Sequence, residues 1–183
     1  MRQQILMAIS ALILASQARA EVRISETSSN YELRGLSTAA IHDDIMKRAP
    51  REGSGVIDGD TSDRLSLSFK YATEDQACRV AKDTVHLEIN TTLPVWIDEQ
   101  RADPAVRAAW NDYLLNLRGH ENGHKTIAVT AAQRIDQLIH NTKPAKTCAE
   151  LEASLSSEAR KIQEQAEAEQ DRYDQQAQSF DIE

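Results

Sequence analysis

One unbroken helical spacing runs through the middle of this chain and limits how it can fold. Residues of the predicted buried face recur at alternating steps of four and three: Trp110, Leu114, Leu117, Glu121, His124, Ala128, Ala131, Ile135 and Leu138. This spacing keeps one face of an α-helix in phase. Asn122-Gly123 lies inside it and is ordinarily a strong turn signal. Because a turn would reset the phase, we predict one continuous helix from Asp103 to about His140.

The same segment reads His120-Glu121-Asn122-Gly123-His124, an H-E-x-x-H pattern. On a helix, two histidines four residues apart share a face and can bind one divalent metal ion. Glu121 lies on the same side without serving as a ligand. Left unpaired, each of these groups would cost on the order of a few kcal/mol to bury. We therefore predict a Zn²⁺ site with His120 and His124 as ligands and Glu121 as the catalytic residue.

Gly123 is an unfavourable residue for the interior of the predicted helix. A glycine inside a helix costs about 1 kcal/mol relative to alanine. We therefore expect Gly123 to permit close approach by a strand, a partner helix or a substrate chain.

The third metal ligand has to come from another part of the chain. A catalytic zinc needs three protein ligands, and Ile127 and Thr130 stand where an extended metzincin motif would have its glycine and third histidine. If the last helix folds back antiparallel, it draws level with the motif near residues 163–170 at about 1.5 Å per residue. The carboxylates in range are Glu164, Glu167, Glu169, Asp171 and Asp174, with His42, His86 and His140 as further options. Glu169 continues the apolar phase of that helix, and Asp174 lies beside Tyr173.

The first half of the chain has strand character. Residues 65–71 and 85–89 alternate apolar and polar side chains, which predicts two half-buried strands. Residues 21–26 and 30–35 are shorter strand candidates, and Thr38–Arg48 is a short helix candidate. Residues 50–63 are rich in Gly, Asp and Ser and predict a loop, with Asp58-Gly59-Asp60 as a solvated turn. The proline of residues 93–96 is predicted to end the strand region.

The second half of the chain is helical. Thr147 and Glu150 form a capping-box pattern at the start of a last helix. Together these elements predict an α+β fold, in which a small antiparallel sheet packs against two long helices. We expect one zinc-peptidase-like domain over residues 21–177, with a zincin-like helix, and a frayed tail over residues 178–183.

The N-terminus reads as a secretory signal peptide of residues 1–20. Arg2 precedes an apolar run, and Ala18-Arg19-Ala20 has the pattern of a cleavage site. The apolar run is short for a bilayer span, and no second such stretch follows. We therefore expect a periplasmic or secreted bacterial protein with no membrane span after cleavage.

Charge and cysteine content agree with that location. The net charge of −8 becomes −10 without Arg2 and Arg19, and no basic stripe suited to nucleic acid is visible. Cys78 and Cys148 form an even pair, which predicts a disulfide bond in an oxidising compartment.

A set of residues spread along the chain matches one known family. They are Tyr31, Gly35, Cys78, the segment 93–96, Trp110, Tyr113, the motif His120-Glu121-Asn122-Gly123-His124, Cys148 and Tyr173-Asp174. In these the chain resembles domain of unknown function 922 (DUF922), a family of predicted secreted bacterial zinc-dependent proteases, over most of the mature chain. The resemblance implies a zinc peptidase with His120 and His124 as ligands and Glu121 as catalyst.

The chain departs from that family at one place. After the Tyr-Asp pair the family usually has a threonine, then a histidine and a glycine, where this chain has Ala177, Ser179 and Phe180. If that histidine normally binds metal, Asp174 has to serve here.

These observations predict a zinc-dependent metallopeptidase acting on a peptide or protein substrate. A zinc-activated water would hydrolyse the peptide bond, with Glu121 as general base. The alternative hypothesis is a non-catalytic binding protein of the cell envelope with a structural or vestigial metal site.

Overall fold

The computed structural model describes residues 22–53, 55–177 and 180–182. The predicted signal peptide, residues 1–20, lies outside these residues. Within them the order of elements is β1 (Val22–Leu33), α1 (Thr38–Arg48), β2 (Arg51–Glu52), β3 (Gly55–Val56), β4 (Asp60–Glu74), β5 (Ala77–Trp96), α2 (Pro104–Asn141) and α3 (Cys148–Gln176). A single 3₁₀ turn, Glu99–Arg101, precedes α2.

The main sheet has three strands in the order β1-β5-β4, and β2 and β3 form a separate small hairpin. β4 and β5 are antiparallel and are joined by Asp75 and Gln76, both with positive φ, as a tight hairpin turn requires. β1 runs parallel to β5, from Val22 opposite Val85 to Leu33 opposite Trp96. The antiparallel prediction is therefore wrong for one of the two strand pairs. The segment between β1 and β5 contains α1, the β2–β3 hairpin and β4. It forms a crossover, so β5 runs in the same direction as β1.

The strands are longer than their sequence patterns predict. β1 joins both predicted N-terminal strands, β4 begins inside the predicted loop, and β5 continues through Pro94 to Trp96. The prediction that residues 93–96 end the strand region is wrong. The pairing of β4 with β5 stops where Asp60 meets Thr92, so β5 beyond that point has a neighbour on one side only. A proline without an N–H group is tolerated there.

Alternation along the sheet separates a buried face from a polar face. Val85, Leu87 and Ile89 of β5 are almost fully buried against the helices. On the opposite face, side chains of β1 form hydrogen bonds to side chains of β5, in the pairs Ser25–His86, Thr27–Asn90 and Ser29–Thr92. This is the period of two that the sequence predicts.

Both predicted long helices are confirmed. α2 continues without interruption through Asn122-Gly123. α3 begins with the predicted capping box, in which the Thr147 hydroxyl accepts from the Glu150 N–H and the Glu150 carboxylate accepts from the Thr147 N–H, each at 3.2 Å. α1 also spans the predicted residues.

The apolar core has two parts, and α2 contributes to both. The first cluster joins the sheet to α3 and the C-terminal half of α2. The second joins α1 and the ends of β1 and β5 to the N-terminal half of α2, with Trp96 and Trp110 in ring contact at 5.7 Å. Phe180 and Ile182 pack into the second cluster, and Ile182 is only 6% exposed. These two residues differ from the predicted frayed tail, because Ile182 is buried and Phe180 is partly buried. Residues 178, 179 and 183 lie outside the described residues.

The predicted disulfide is confirmed. Cys78 at the start of β5 is bonded to Cys148 at the start of α3. Cys78 also exchanges two backbone hydrogen bonds with Ala145, at 2.8 and 2.9 Å, in the segment between α2 and α3. The bond is consistent with an extracytoplasmic location. Among the helices that the structure describes, none has the length and apolar character needed to cross a membrane.

Replacing both cysteines, Cys78→Ser with Cys148→Ser, should lower the free energy of unfolding by about 4 kcal/mol, because the bond closes a long loop in the unfolded chain. The two residues are 70 apart in sequence. Urea denaturation followed by circular dichroism would measure the change. The unchanged protein in reductant is the control and should show the same lowered midpoint; equal midpoints for oxidised and double-variant protein would contradict the prediction.

Candidate metal site

α3 returns antiparallel beside α2 and brings a carboxylate to the two histidines. The Asp174 Oδ1 atom lies 3.1 Å from His120 Nε2 and 2.8 Å from His124 Nε2. The two Nε2 atoms are 3.0 Å apart. The structure thus gathers one ligand atom from each of three predicted site residues, all within 4.8 Å of one another.

Gln170 determines which nitrogen of His124 faces this cluster. The His124 Nδ1–H donates to Gln170 Oε1 at 2.6 Å, and Gln170 Nε2 donates to the His124 carbonyl at 3.1 Å. A neutral His124 held in this way carries a lone pair on Nε2. That lone pair points at Asp174 Oδ1, which is also an acceptor. Two acceptors at 2.8 Å require a proton or a cation between them, so the donor set fits a metal ion.

The spacing of the cluster and the protonation of His120 suit zinc. Ligand atoms at 2.0–2.2 Å around a tetrahedral zinc lie about 3.3 Å apart, so the observed separations need to widen by only a few tenths of an ångström. Burial lowers the pKa of His120 and the nearby His124 lowers it further, while Asp174 opposes both. The neutral imidazole favoured in this way is the form that binds metal.

An aromatic layer holds the two imidazoles in place. The Tyr173 ring lies nearly parallel to His120 at 4.9 Å and edge-on to His124 at 5.1 Å. A Cβ atom on Gly123 would lie 2.6 Å from Cε1 of Tyr173 and closer still to its Cζ atom and hydroxyl oxygen. Of the uses predicted for Gly123, close approach by a partner helix is therefore the one that the structure contains.

Glu121 lies beside the cluster in a buried position. Its side chain is 4% exposed, and within the described part of the chain its Oε2 atom has no hydrogen-bond partner. Burial raises the pKa of Glu121, and a hydrogen bond from the Thr61 side chain partly offsets this. Gly59 lies against the same carboxylate, since a Cβ added there would be 2.7 Å from Glu121 Oε1.

The loop that carries Gly59 is anchored from two sides. Tyr31 donates its hydroxyl hydrogen to the Asp58 carbonyl at 2.6 Å, and Tyr113 donates to Asp58 Oδ2 at 3.1 Å. Burial raises the pKa of Asp58. The prediction of a solvated turn at Asp58-Gly59-Asp60 is therefore wrong, because two tyrosines from β1 and α2 fix the loop against the site.

A cleft of about 940 Å³ leads to the cluster. The start of β4, an edge strand of the sheet, forms one wall with residues 60–63. Apolar residues line the part of the cleft near α1 and the β2–β3 hairpin: Ile45, Met46, Pro50, Val56 and Ile57. His120, Glu121, His124 and Asp174 all line the same cleft, so the candidate metal site is accessible to a ligand of substantial size.

The remaining candidates from the sequence lie elsewhere. Glu169 is on the exposed side of α3, because the inward positions of that helix are Ala166, Gln170 and Tyr173. Glu164, Glu167, Asp171 and His140 are exposed, His86 contacts Ser25 on the polar face of the sheet, and His42 lines the cleft at α1. Gln170 is not among the residues predicted from the sequence, although its spacing of four from Asp174 is a signal that both share a face of the helix.

One comparison with known proteins identifies a relationship. The family model described as a bacterial protein of unknown function (DUF922) matches residues 28–181. No curated protein and no solved structure matches the chain. The matched range includes the histidine motif, Asp174, and both cysteines.

The two glycines of the central α2 segment provide a matched test of the packing. Gly123→Ala should lower the free energy of unfolding by about 1–3 kcal/mol, because Tyr173 has to move. Gly119→Ala should raise it by up to about 1 kcal/mol, because alanine favours helix and nothing lies within 4 Å of the added carbon. Urea denaturation of both variants measures the difference; equal effects would show that Tyr173 does not constrain Gly123.

Proposed function

The chain belongs to the DUF922 family of bacterial proteins of unknown function, and from the geometry of its candidate site we propose that it is a secreted or periplasmic zinc-dependent peptidase with a zincin-like helix. The observation that carries the proposal is the group of His120, His124 and Asp174 beside the buried carboxylate of Glu121. Three ligands of this kind with an open position are typical of catalytic rather than structural zinc.

Each residue of the group has a distinct task in this proposal. His120, His124 and Asp174 would hold the ion, and Gln170 would keep the His124 ring oriented through its Nδ1–H. When bound, zinc would polarise the peptide carbonyl and make a water more acidic.

Glu121 would move the proton. Its Oε2 atom is buried, without a partner among the described residues, and on the cleft side of α2. Glu121 takes a proton from the attacking water while the water oxygen bonds to the carbonyl carbon. It then passes that proton to the amide nitrogen, which leaves as an amine when the carbon–nitrogen bond breaks.

The shape of the cleft supports a peptide substrate. β4 has a paired neighbour, β5, on one side, and its first residues line the cleft on the way to the cluster. An exposed strand edge can pair with an extended peptide through main-chain hydrogen bonds. The cleft volume of about 940 Å³, near the upper end of the range for small-molecule sites, also has room for several residues of such a chain.

A second candidate function follows from the exposure of the third ligand. The Asp174 side chain is 57% exposed, compared with 14% and 10% for His120 and His124. A partly solvated carboxylate would hold metal less firmly, which suits a non-catalytic envelope binding protein with a structural or vestigial site.

Glu121→Gln should abolish peptide hydrolysis, with a loss of at least about 100-fold, and retain zinc, because it removes the proton acceptor and leaves the ligands intact. Zinc content by atomic emission and hydrolysis of fluorescently labelled casein measure the two properties. Glu169→Gln, on the exposed side of α3, is the matched control and should change neither.

Hydrolysis that survives in the Glu121→Gln protein would contradict the proposed mechanism. About one zinc per chain in the unchanged protein, without hydrolysis of casein or of mixed peptides, would favour the binding-protein alternative. A zinc content below about one ion per chain after gentle purification would contradict a stable zinc site.

Gln170→Leu should weaken zinc binding by about 10–100-fold, because the His124 ring loses the acceptor that fixes its orientation. Competition with a chromogenic chelator measures the dissociation constant. Gln165→Leu is the control, since the Gln165 amide contacts Arg134 rather than the site. Equal zinc affinity in both variants would show that Gln170 does not position His124.

A further inference from the structure

A side pocket of about 370 Å³ opens beside His120, apart from the main part of the cleft. Its walls include Tyr113, Asn116, His120, Tyr173, Phe180 and Asp181. His120, Phe180 and Asp181 also line the cleft, so the two spaces are contiguous at the candidate metal site.

The walls of this pocket are unusually aromatic for this chain. The sequence has four tyrosines, two tryptophans and two phenylalanines, and three of these eight residues line the pocket. Two of the three rings pack against the candidate metal site: the ring centres of Tyr173 and Phe180 lie 4.9 and 5.2 Å from that of His120. Tyr113 is held by its hydrogen bond to Asp58. A cation within about 6 Å of such rings is attracted by their electron-rich faces.

The charge of the adjoining cleft has the complementary sign. The described residues that line the cleft include six carboxylates: Asp58, Asp60, Asp63, Glu121, Asp174 and Asp181. Among those same residues Arg51 is the only lysine or arginine. A concave surface lined by one sign of charge concentrates ligands of the opposite sign, and one of the six carboxylates, Asp181, also lines the side pocket.

We propose that the side pocket binds the cationic side chain of a lysine or arginine residue of the substrate, next to the peptide bond that lies at His120. The methylene stem packs along the three aromatic rings, while the charged end lies towards Asp181 and the mouth of the pocket. This inference rests on the proposed peptidase function and names its substrate class.

Binding of two matched peptides tests the pocket without requiring turnover. The probes are an acetylated, amidated alanine pentapeptide with lysine at its centre and the same peptide with norleucine, which keeps the stem and lacks the charge. Calorimetric titration of the full chain carrying Glu121→Gln should give at least about fivefold tighter binding of the lysine peptide. The metal-free unchanged protein, whose pocket is the same, should show the same preference and excludes a folding defect of the variant.

The two phenylalanines of the chain supply a matched pair of variants. Phe180→Leu should reduce the preference for lysine measurably, because it keeps an apolar wall but deletes one of the three aromatic rings. Phe69→Leu, in the other apolar cluster, should leave the preference unchanged.

Equal binding of the two peptides, or binding of neither, would overturn the inference, as would a preference that Phe180→Leu leaves unchanged. These outcomes differ from failure of the peptidase proposal. A lysine preference in a protein that hydrolyses nothing would support the side-pocket inference and contradict the peptidase proposal. Hydrolysis without a lysine preference would support the peptidase proposal and contradict the side-pocket inference.

Discussion

The contact of Tyr173 with Gly123 is the constraint on which the candidate site depends. Without a side chain at Gly123, α3 packs closely enough against α2 for Tyr173 to lie between the helices and against both imidazoles. The same approach places Gln170 and Asp174 within hydrogen-bond distance of the histidines. The conformational cost of a mid-helix glycine is therefore offset by the packing of the second helix, and the arrangement of the candidate ligands follows from that packing.

The rest of the fold holds these two helices in register. α3 is fixed at its first residue by the disulfide to β5, and its last turns carry Gln170, Tyr173 and Asp174. α2 passes through both apolar clusters, and the site lies between them. On the opposite side, the anchored loop brings Gly59 against Glu121, and the start of β4 brings Thr61. A buried carboxylate is thus enclosed by elements from the sheet while the three candidate ligands face the cleft.

Prediction from sequence was most successful where a single element carries the information. The 4-3 spacing across α2 showed that Asn122-Gly123 is not a turn, and the length of that helix placed the returning α3 carboxylates near the motif. It failed for Glu169, because the inward positions of α3 keep the 4, 4, 3 steps of its first turns, which lead from Ala166 to Gln170 and leave Glu169 on the exposed side. Prediction also failed for the direction of β1 and the end of β5. Pairing of these strands joins residues about 60 positions apart, and no periodic pattern in the sequence indicates which residues pair.

The sequence by itself determined the two long helices, the buried stripe with its histidines, and the pair of cysteines that form the disulfide. These follow from local periodicity, capping and composition, which act over a few residues at a time. Only the tertiary structure decided that Asp174 meets the histidines, that Gln170 orients one of them, and that Gly123 receives Tyr173. Those contacts depend on how far one helix lies from another, and that distance is set by side-chain packing between segments some 50 residues apart in the chain.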